Sequence, residues 1–104
     1  MAEVIWTELA LEDLQDIIEY IAKDSFVYAE RFGVRVAEAP RRLAQFPFCG
    51  RIVPEFEEEN IRELIYESYR IIYLIREKIC YIVAILHGSR DILRCLKPGD
   101  WDIA

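Results

Sequence analysis

The 104-residue chain is 54% hydrophobic with a formal net charge of −6. It can bury a single core without disulfides, and a disordered chain is excluded. No apolar run reaches the roughly 18–20 residues of a spanning helix, so no membrane association is expected. The acidic balance counts against a protein that grips a nucleic-acid backbone, since such proteins usually carry a basic footprint. The charge is uneven, however, and local fields matter more than totals. Arg31, Arg35, Arg41, Arg42 and Arg51 outnumber Glu30 and Glu38 in the middle of the chain, between acidic stretches at 8–24 and 55–63.

The opening MAEVIWTELALEDL is acidic and lacks a basic segment followed by an apolar one, so no signal peptide is read and a cytoplasmic location is expected. Glu3-Val4-Ile5-Trp6 has strand composition. Thr7 then caps a helix over about residues 8–22, with Ala10 rather than Glu or Gln at the position that would complete a capping box. Leu11, Leu14, Ile17, Ile18 and Ile21 form its apolar stripe, and the acidic residues between them face water. Asp24 or Ser25 starts a second helix whose stripe is Ala29, Phe32, Val36, Ala39 or Pro40, and Leu43, interrupted by Gly33. Pro40 removes a backbone donor and should kink or break this helix before Arg41–Phe46. Two such helices with a short joint make an antiparallel hairpin. Cys49 to Glu55 reads as a turn into a short extended piece, and the acidic run to Asn60 as a solvated loop.

Three apolar strands follow within 61–90. With Glu67-Ser68 and Glu77-Lys78 as two-residue turns, Tyr66 pairs with Tyr69 and Arg76 with Ile79. Neither turn has the Gly or Asn that primed turns favour, which leaves room for a register slip. In this register one face carries Leu64, Tyr66, Tyr69, Ile71, Tyr73, Ile75, Ile82, Ala84 and Leu86. The other carries Glu63, Ile65, Arg70, Ile72, Leu74, Tyr81, Val83, Ile85 and His87. The helical hairpin is expected on the first face. The second is the candidate site, partly roofed by the tail from Asp91 to Ala104.

On that second face Arg70, Glu63 and His87 could converge. Arg70 could hold a phosphate in its planar fork and His87 could act as a general acid or base. The alternative is an Arg–Glu pair closing the sheet edge, with a structural histidine at a strand end. Gly50-Arg51 and Pro54-Glu55 either bring a cation and a carboxylate to the sheet rim or simply close a turn. Arg90-Asp91 reads as a surface ion pair, and Trp101 as an anchor of the tail or a partner contact. Cys49, Cys80 and Cys95 lack metal-ligand spacing, and His87 is the sole histidine. Free thiols are therefore expected, with no metal and no cofactor.

Taken in order, these segments resemble the RelE/ParE toxin superfamily of bacterial type II toxin–antitoxin modules. They are most similar to its ParE-like, plasmid-stabilisation branch. The resemblance runs through ALEDLQDIIEYI at 10–21, Ala29, Phe32, Leu43, Phe46-Pro47, Gly50 to Glu55, Arg62 to Tyr66, Tyr69 to Tyr73, and His87-Gly88-Ser89-Arg90. It implies an α+β fold in the order β-α-α-β-β-β, with the helical hairpin packed on a small antiparallel sheet. It also implies a cognate antitoxin and one of two activities. ParE-like members poison DNA gyrase by binding it. RelE-like members cleave messenger RNA on the ribosome, and in that case Arg70, His87 and Glu55 would be the catalytic set. Arg51, Arg62, Arg90 and Trp101 are the expected binding residues.

Two departures weigh on the choice. The lysines are only Lys23, Lys78 and Lys97, so cations for RNA are few. The net acidity is also unusual for a toxin whose antitoxin is normally the acidic partner. A gyrase-type toxin is the favoured expectation, with an RNA-cleaving enzyme and an inactive antitoxin-binding member as alternatives. The antitoxin is expected on the outer stripe of the helical hairpin or on an open sheet edge, and free protein is expected to form a homodimer through the same surface.

Overall fold

The computed structural model describes residues 1–96. The chain is an α+β domain in which α1 (Glu8–Ala22) and α2 (Phe26–Glu38) form a hairpin over one face of a sheet. The sheet order is β1 (Glu3–Trp6), β5 (Ile79–His87), β4 (Tyr69–Arg76), β3 (Ile61–Tyr66) and β2 (Arg51–Ile52). Strands β2 to β5 pair antiparallel, and β1 joins β5 in parallel at the edge. The expected β-α-α-β-β-β order holds, extended by the two-residue β2 and a one-turn helix α3 (Ile92–Cys95).

Thr7 and Ser25 cap the two helices through side-chain oxygens that accept from Ala10 and Tyr28. Each satisfies one of the backbone donors that a helix start leaves free. Pro40 acts as expected: α2 ends at Glu38, and Ala39–Ala44 continue as a tighter 3-10 turn. Gly33 faces α1, where an added Cβ would lie 2.8 Å from Cδ1 of Ile18. The break in the α2 stripe is thus a point of close helix approach.

Both two-residue turns form in the expected register, Tyr66 opposite Tyr69 and Arg76 opposite Ile79. Glu67 and Glu77 take the left-handed conformation themselves, with φ of 51° and 57°. A non-glycine residue there costs about 1–2 kcal/mol. Burial of both sheet faces outweighs this, because a one-residue slip would exchange the faces of a strand and turn Glu63 or Arg70 under the helices.

The expected faces hold only as far as Val83. A β-bulge lies there: Ile72 pairs with Ala84 but Tyr73 pairs with Ile82, which leaves Val83 as the extra residue. Beyond it the strand inverts. Ile85 packs with Phe32, Leu64, Ile71 and Tyr73 under the helices, whereas Ala84 and Leu86 join Ile72, Leu74 and Val83 on the other face. The second face is roofed by Val53 and Phe56 from the loop and by Ile92 and Leu96 near α3. The rest of the expected roof, 97–104, lies outside the described residues.

Tyr73, fully buried, ties the 47–50 turn to the core. Its hydroxyl donates to the Pro47 carbonyl (2.8 Å) and accepts from Gly50 N–H (3.0 Å). Burial pushes this hydroxyl up to about 12, so it stays protonated and can donate. A Cβ on Gly50 would lie 2.7 Å from both the Glu63 carbonyl oxygen and the Tyr73 hydroxyl. The first of these is backbone within the sheet and cannot move aside. Gly50→Ala is therefore expected to destabilise the fold by about 1–3 kcal/mol, the usual cost of overpacking. An unchanged urea midpoint would show that the turn relaxes freely.

Candidate functional site

The site begins with a cross-strand pair. Arg51 on β2 lies opposite Glu63 on β3, and Arg70 on β4 reaches the same carboxylate from a diagonal position, since Glu63 is opposite Ile72. Such diagonal neighbours on one face are within reach of long side chains. Glu63 is 1% exposed. It accepts from Nε of Arg51 through one oxygen and from Nε of Arg70 through the other, the latter at 2.5 Å. The terminal nitrogens of Arg70 make a bidentate pair with Glu55, at 2.8 and 2.7 Å. Two cations and two anions thus alternate as Arg51, Glu63, Arg70, Glu55, with no net charge.

The electrostatics follow from this alternation. Hydrogen bonding from Arg70 holds the Glu55 carboxyl below its ordinary range. Pairing with Glu55, and then with Glu63, raises the Arg70 guanidinium above an already high value. Glu55 is therefore a weak base that remains ionised near neutrality, which is the opposite of what general acid catalysis requires.

His87 does not converge with Arg70 and Glu63 as the unbulged register expected. The bulge turns it to the helix side, where its ring meets Tyr69 edge-on at 5.2 Å. Its Nδ1 accepts from Ser89 N–H (3.1 Å) and lies 2.7 Å from Ser89 Oγ. The neutral ring therefore carries its proton on Nε2. His87 still reaches the rim of a hollow of about 510 Å³ whose wall includes Arg51, Glu55, Arg70, Gly88 and Ser89. It shares a rim with the arginines without sharing a hydrogen bond.

The other expected binding residues fall elsewhere. Arg62 donates to the carbonyls of Glu59, Phe48 and Gly50 and lies 4.9 Å over the Phe48 ring, so it braces two loops. Arg90 does not pair with Asp91. It turns to Sγ of Cys95 (3.0 Å), while Asp91 caps α3 by accepting from Leu93 N–H. Trp101 lies outside the described residues. The cysteines are free, Cys80 buried and the other two exposed. No group of three or more His, Cys, Asp and Glu among the described residues could hold a metal ion.

One polar residue escaped the sequence reading. Asp13 of α1 accepts from the backbone N–H of Ile85 (3.0 Å), satisfying a donor on β5 past the end of β1. Burial raises its pKa, partly offset by that bond. The available signal was its position, three residues after Ala10 and four before Ile17, on the edge of the apolar stripe. Asp13, Ile17, Tyr20 and the end of β5 line a second groove of about 400 Å³.

Comparison with known proteins agrees with this architecture. The family described as ParE toxin of type II toxin-antitoxin system, parDE, matches residues 4–92. A curated Caulobacter vibrioides protein named Toxin RelE2 is 36% identical over 91 residues, covering 86% of this chain and 99% of that protein. A solved structure described as the chromosomal ParDE TA system from P. aeruginosa superposes with a TM-score of 0.71. It covers 86% of this chain and 98% of that one at 23% identity, a likeness of fold. With nearly the whole chain matched in both sequence comparisons, the protein belongs to the RelE/ParE toxin superfamily of type II toxin–antitoxin systems.

Proposed function

We propose that this toxin acts by binding a protein target of the DNA gyrase type, without chemistry of its own, and is neutralised by a cognate antitoxin. The observation that carries this reading is the state of Arg70. Cleaving a phosphodiester needs cations positioned for the charge that develops in the transition state. Here the sheet arginine is already held by two carboxylates, its fork bidentate on Glu55. Glu55 is too acidic to donate a proton, and the bulge places His87 on the other face of β5. The acidic surroundings at Glu57, Glu58 and Glu59 also disfavour an RNA backbone.

The test sets a supercoiling assay with purified gyrase beside a ribosome-dependent messenger-RNA cleavage assay. Inhibition of supercoiling with no RNA cleavage is expected. RNA cleavage that disappears with Arg70→Ala or His87→Ala would replace this reading with a nuclease, and inactivity in both assays would favour a member that only binds its antitoxin.

We propose the outward face of α2 as the antitoxin dock. Val27 and Val34 stand exposed there seven residues apart, beside Arg31 and Arg35. An apolar stripe flanked by cations suits an amphipathic helix with an acidic border. Val34→Glu is expected to abolish capture of the antitoxin while leaving target inhibition intact; undiminished capture would move the dock elsewhere.

A further inference from the structure

Glu55 stands where a ligand of Arg70 would stand. Its carboxylate meets the guanidinium fork in the planar bidentate arrangement typical of arginine–carboxylate recognition. Glu55 is not buried as Glu63 is: its side chain is 31% exposed, against 0% for Glu63. It opens on the hollow that Arg51 and Arg70 line, and the Arg51 charge acts on it as well. Arg51, held to Glu63 through Nε alone, has a 61% exposed side chain. A carboxylate arriving from solvent would thus meet Arg51 first and the Arg70 fork behind it.

The loop that carries Glu55 is held under some strain. Glu57, two residues on, adopts a left-handed conformation with φ of 53°, and its N–H bonds back to the Val53 carbonyl. Val53 is fully buried and Phe56 packs on the same cluster. The loop's far end is braced by Arg62, which donates to the Glu59 carbonyl, and its rim is held by the Glu55–Arg70 pair. A non-glycine residue in that backbone region persists only where its surroundings hold it there. Release of Glu55 would allow the loop to relax, which lowers the cost of exchange.

We propose that Arg51 and Arg70 form a carboxylate-exchange subsite with Glu55 as its resident occupant, and that a single carboxylate on a protein partner displaces Glu55. The inference rests on the reading that this chain acts by binding proteins. A peptide can present one planar carboxylate to the fork. A nucleic-acid backbone would bring a row of charges past Glu57, Glu58 and Glu59. The fixed charge of Glu63 keeps Arg70 aimed outward throughout the exchange.

Chemical rescue tests the subsite independently of any cellular target. Glu55→Ala leaves the fork open, and Glu55→Ser does so with a polar side chain too short to reach it, in case the alanine variant folds poorly. Each is melted in sodium acetate, sodium phosphate and sodium chloride at matched ionic strength, because a ligand that binds only the folded state raises its melting temperature. Acetate is expected to raise the melting temperature of both variants by several degrees over chloride, with no such gain in the wild type. The gain is expected to vanish when Arg70→Gln is added. Equal melting in acetate and chloride, or a gain that survives Arg70→Gln, overturns the proposal. A larger gain from phosphate than from acetate overturns the carboxylate assignment in favour of a phosphate ligand. None of these readouts depends on gyrase, so failure of the gyrase reading and failure of the subsite are separately visible.

Discussion

Replacing Glu63 with alanine should cost about 3–5 kcal/mol of folding stability, the usual result of removing one partner from a buried ion pair. Glu63 is the central anion of the network, 1% exposed, with Arg70 7% exposed beside it. Without it Arg70 keeps Glu55 on its fork but loses the acceptor for Nε, at the buried end of the network. A loss of that size is a large part of the roughly 5–15 kcal/mol available to a domain of this kind. Urea unfolding at neutral pH would measure it. Glu63→Gln keeps the volume and one acceptor and should lose less. A loss under about 1 kcal/mol for the alanine variant would mean that the network behaves as a surface pair.

The paired replacement Glu63→Leu with Arg70→Met separates stability from placement. Apolar residues of similar volume in place of a buried ion pair are often neutral or stabilising. The double variant should therefore recover most of what Glu63→Ala loses. Glu55 would still be left without its bidentate partner, and the 53–60 loop would keep the Arg62 bond to the Glu59 carbonyl as a side-chain brace. A network that can be replaced at little energetic cost is better explained by what it positions, which here is the Arg70 fork and the loop opposite it.

The helices, the strands and the register were legible because each rests on a local pattern. Thr7 and Ser25 are cap residues before apolar stripes, and Pro40 ends α2 where its missing donor requires. The turns at Glu67 and Glu77 were harder, since neither residue favours a positive φ, yet burial of both sheet faces selects the register. The bulge at Val83 had no local sign. Val83, Ala84 and Ile85 are all small or apolar and fit either face, so nothing in the pattern marks where the alternation inverts. That one extra residue moved His87 away from Arg70 and decided the reading of the site. The Glu63–Arg70 pair was legible from the faces alone, because it precedes the bulge. The roles of Asp13 and Arg62 depend on backbone groups left unpaired by tertiary geometry, which a sequence does not display.

Phe32→Ala should be comparably severe, about 3–5 kcal/mol, as expected for truncating a fully buried aromatic side chain. Phe32 is 0% exposed and belongs to the cluster that joins the hairpin to the sheet. Its ring makes edge-on contacts with Tyr66 (5.7 Å) and Tyr69 (5.0 Å), which flank the β3–β4 turn. Such pairs add about 0.5–1.5 kcal/mol beyond the area they bury. The same substitution reaches the site indirectly, because Tyr69 is the ring that His87 packs against. A double-mutant cycle of Phe32→Leu with Tyr69→Leu would isolate the ring–ring contribution from the cavity. Additive losses would assign the whole effect to cavity volume. A coupling near the aromatic value would mean that the α2–sheet contact also fixes the turn carrying Glu67 and Ser68, and with it one wall of the hollow in front of Arg70.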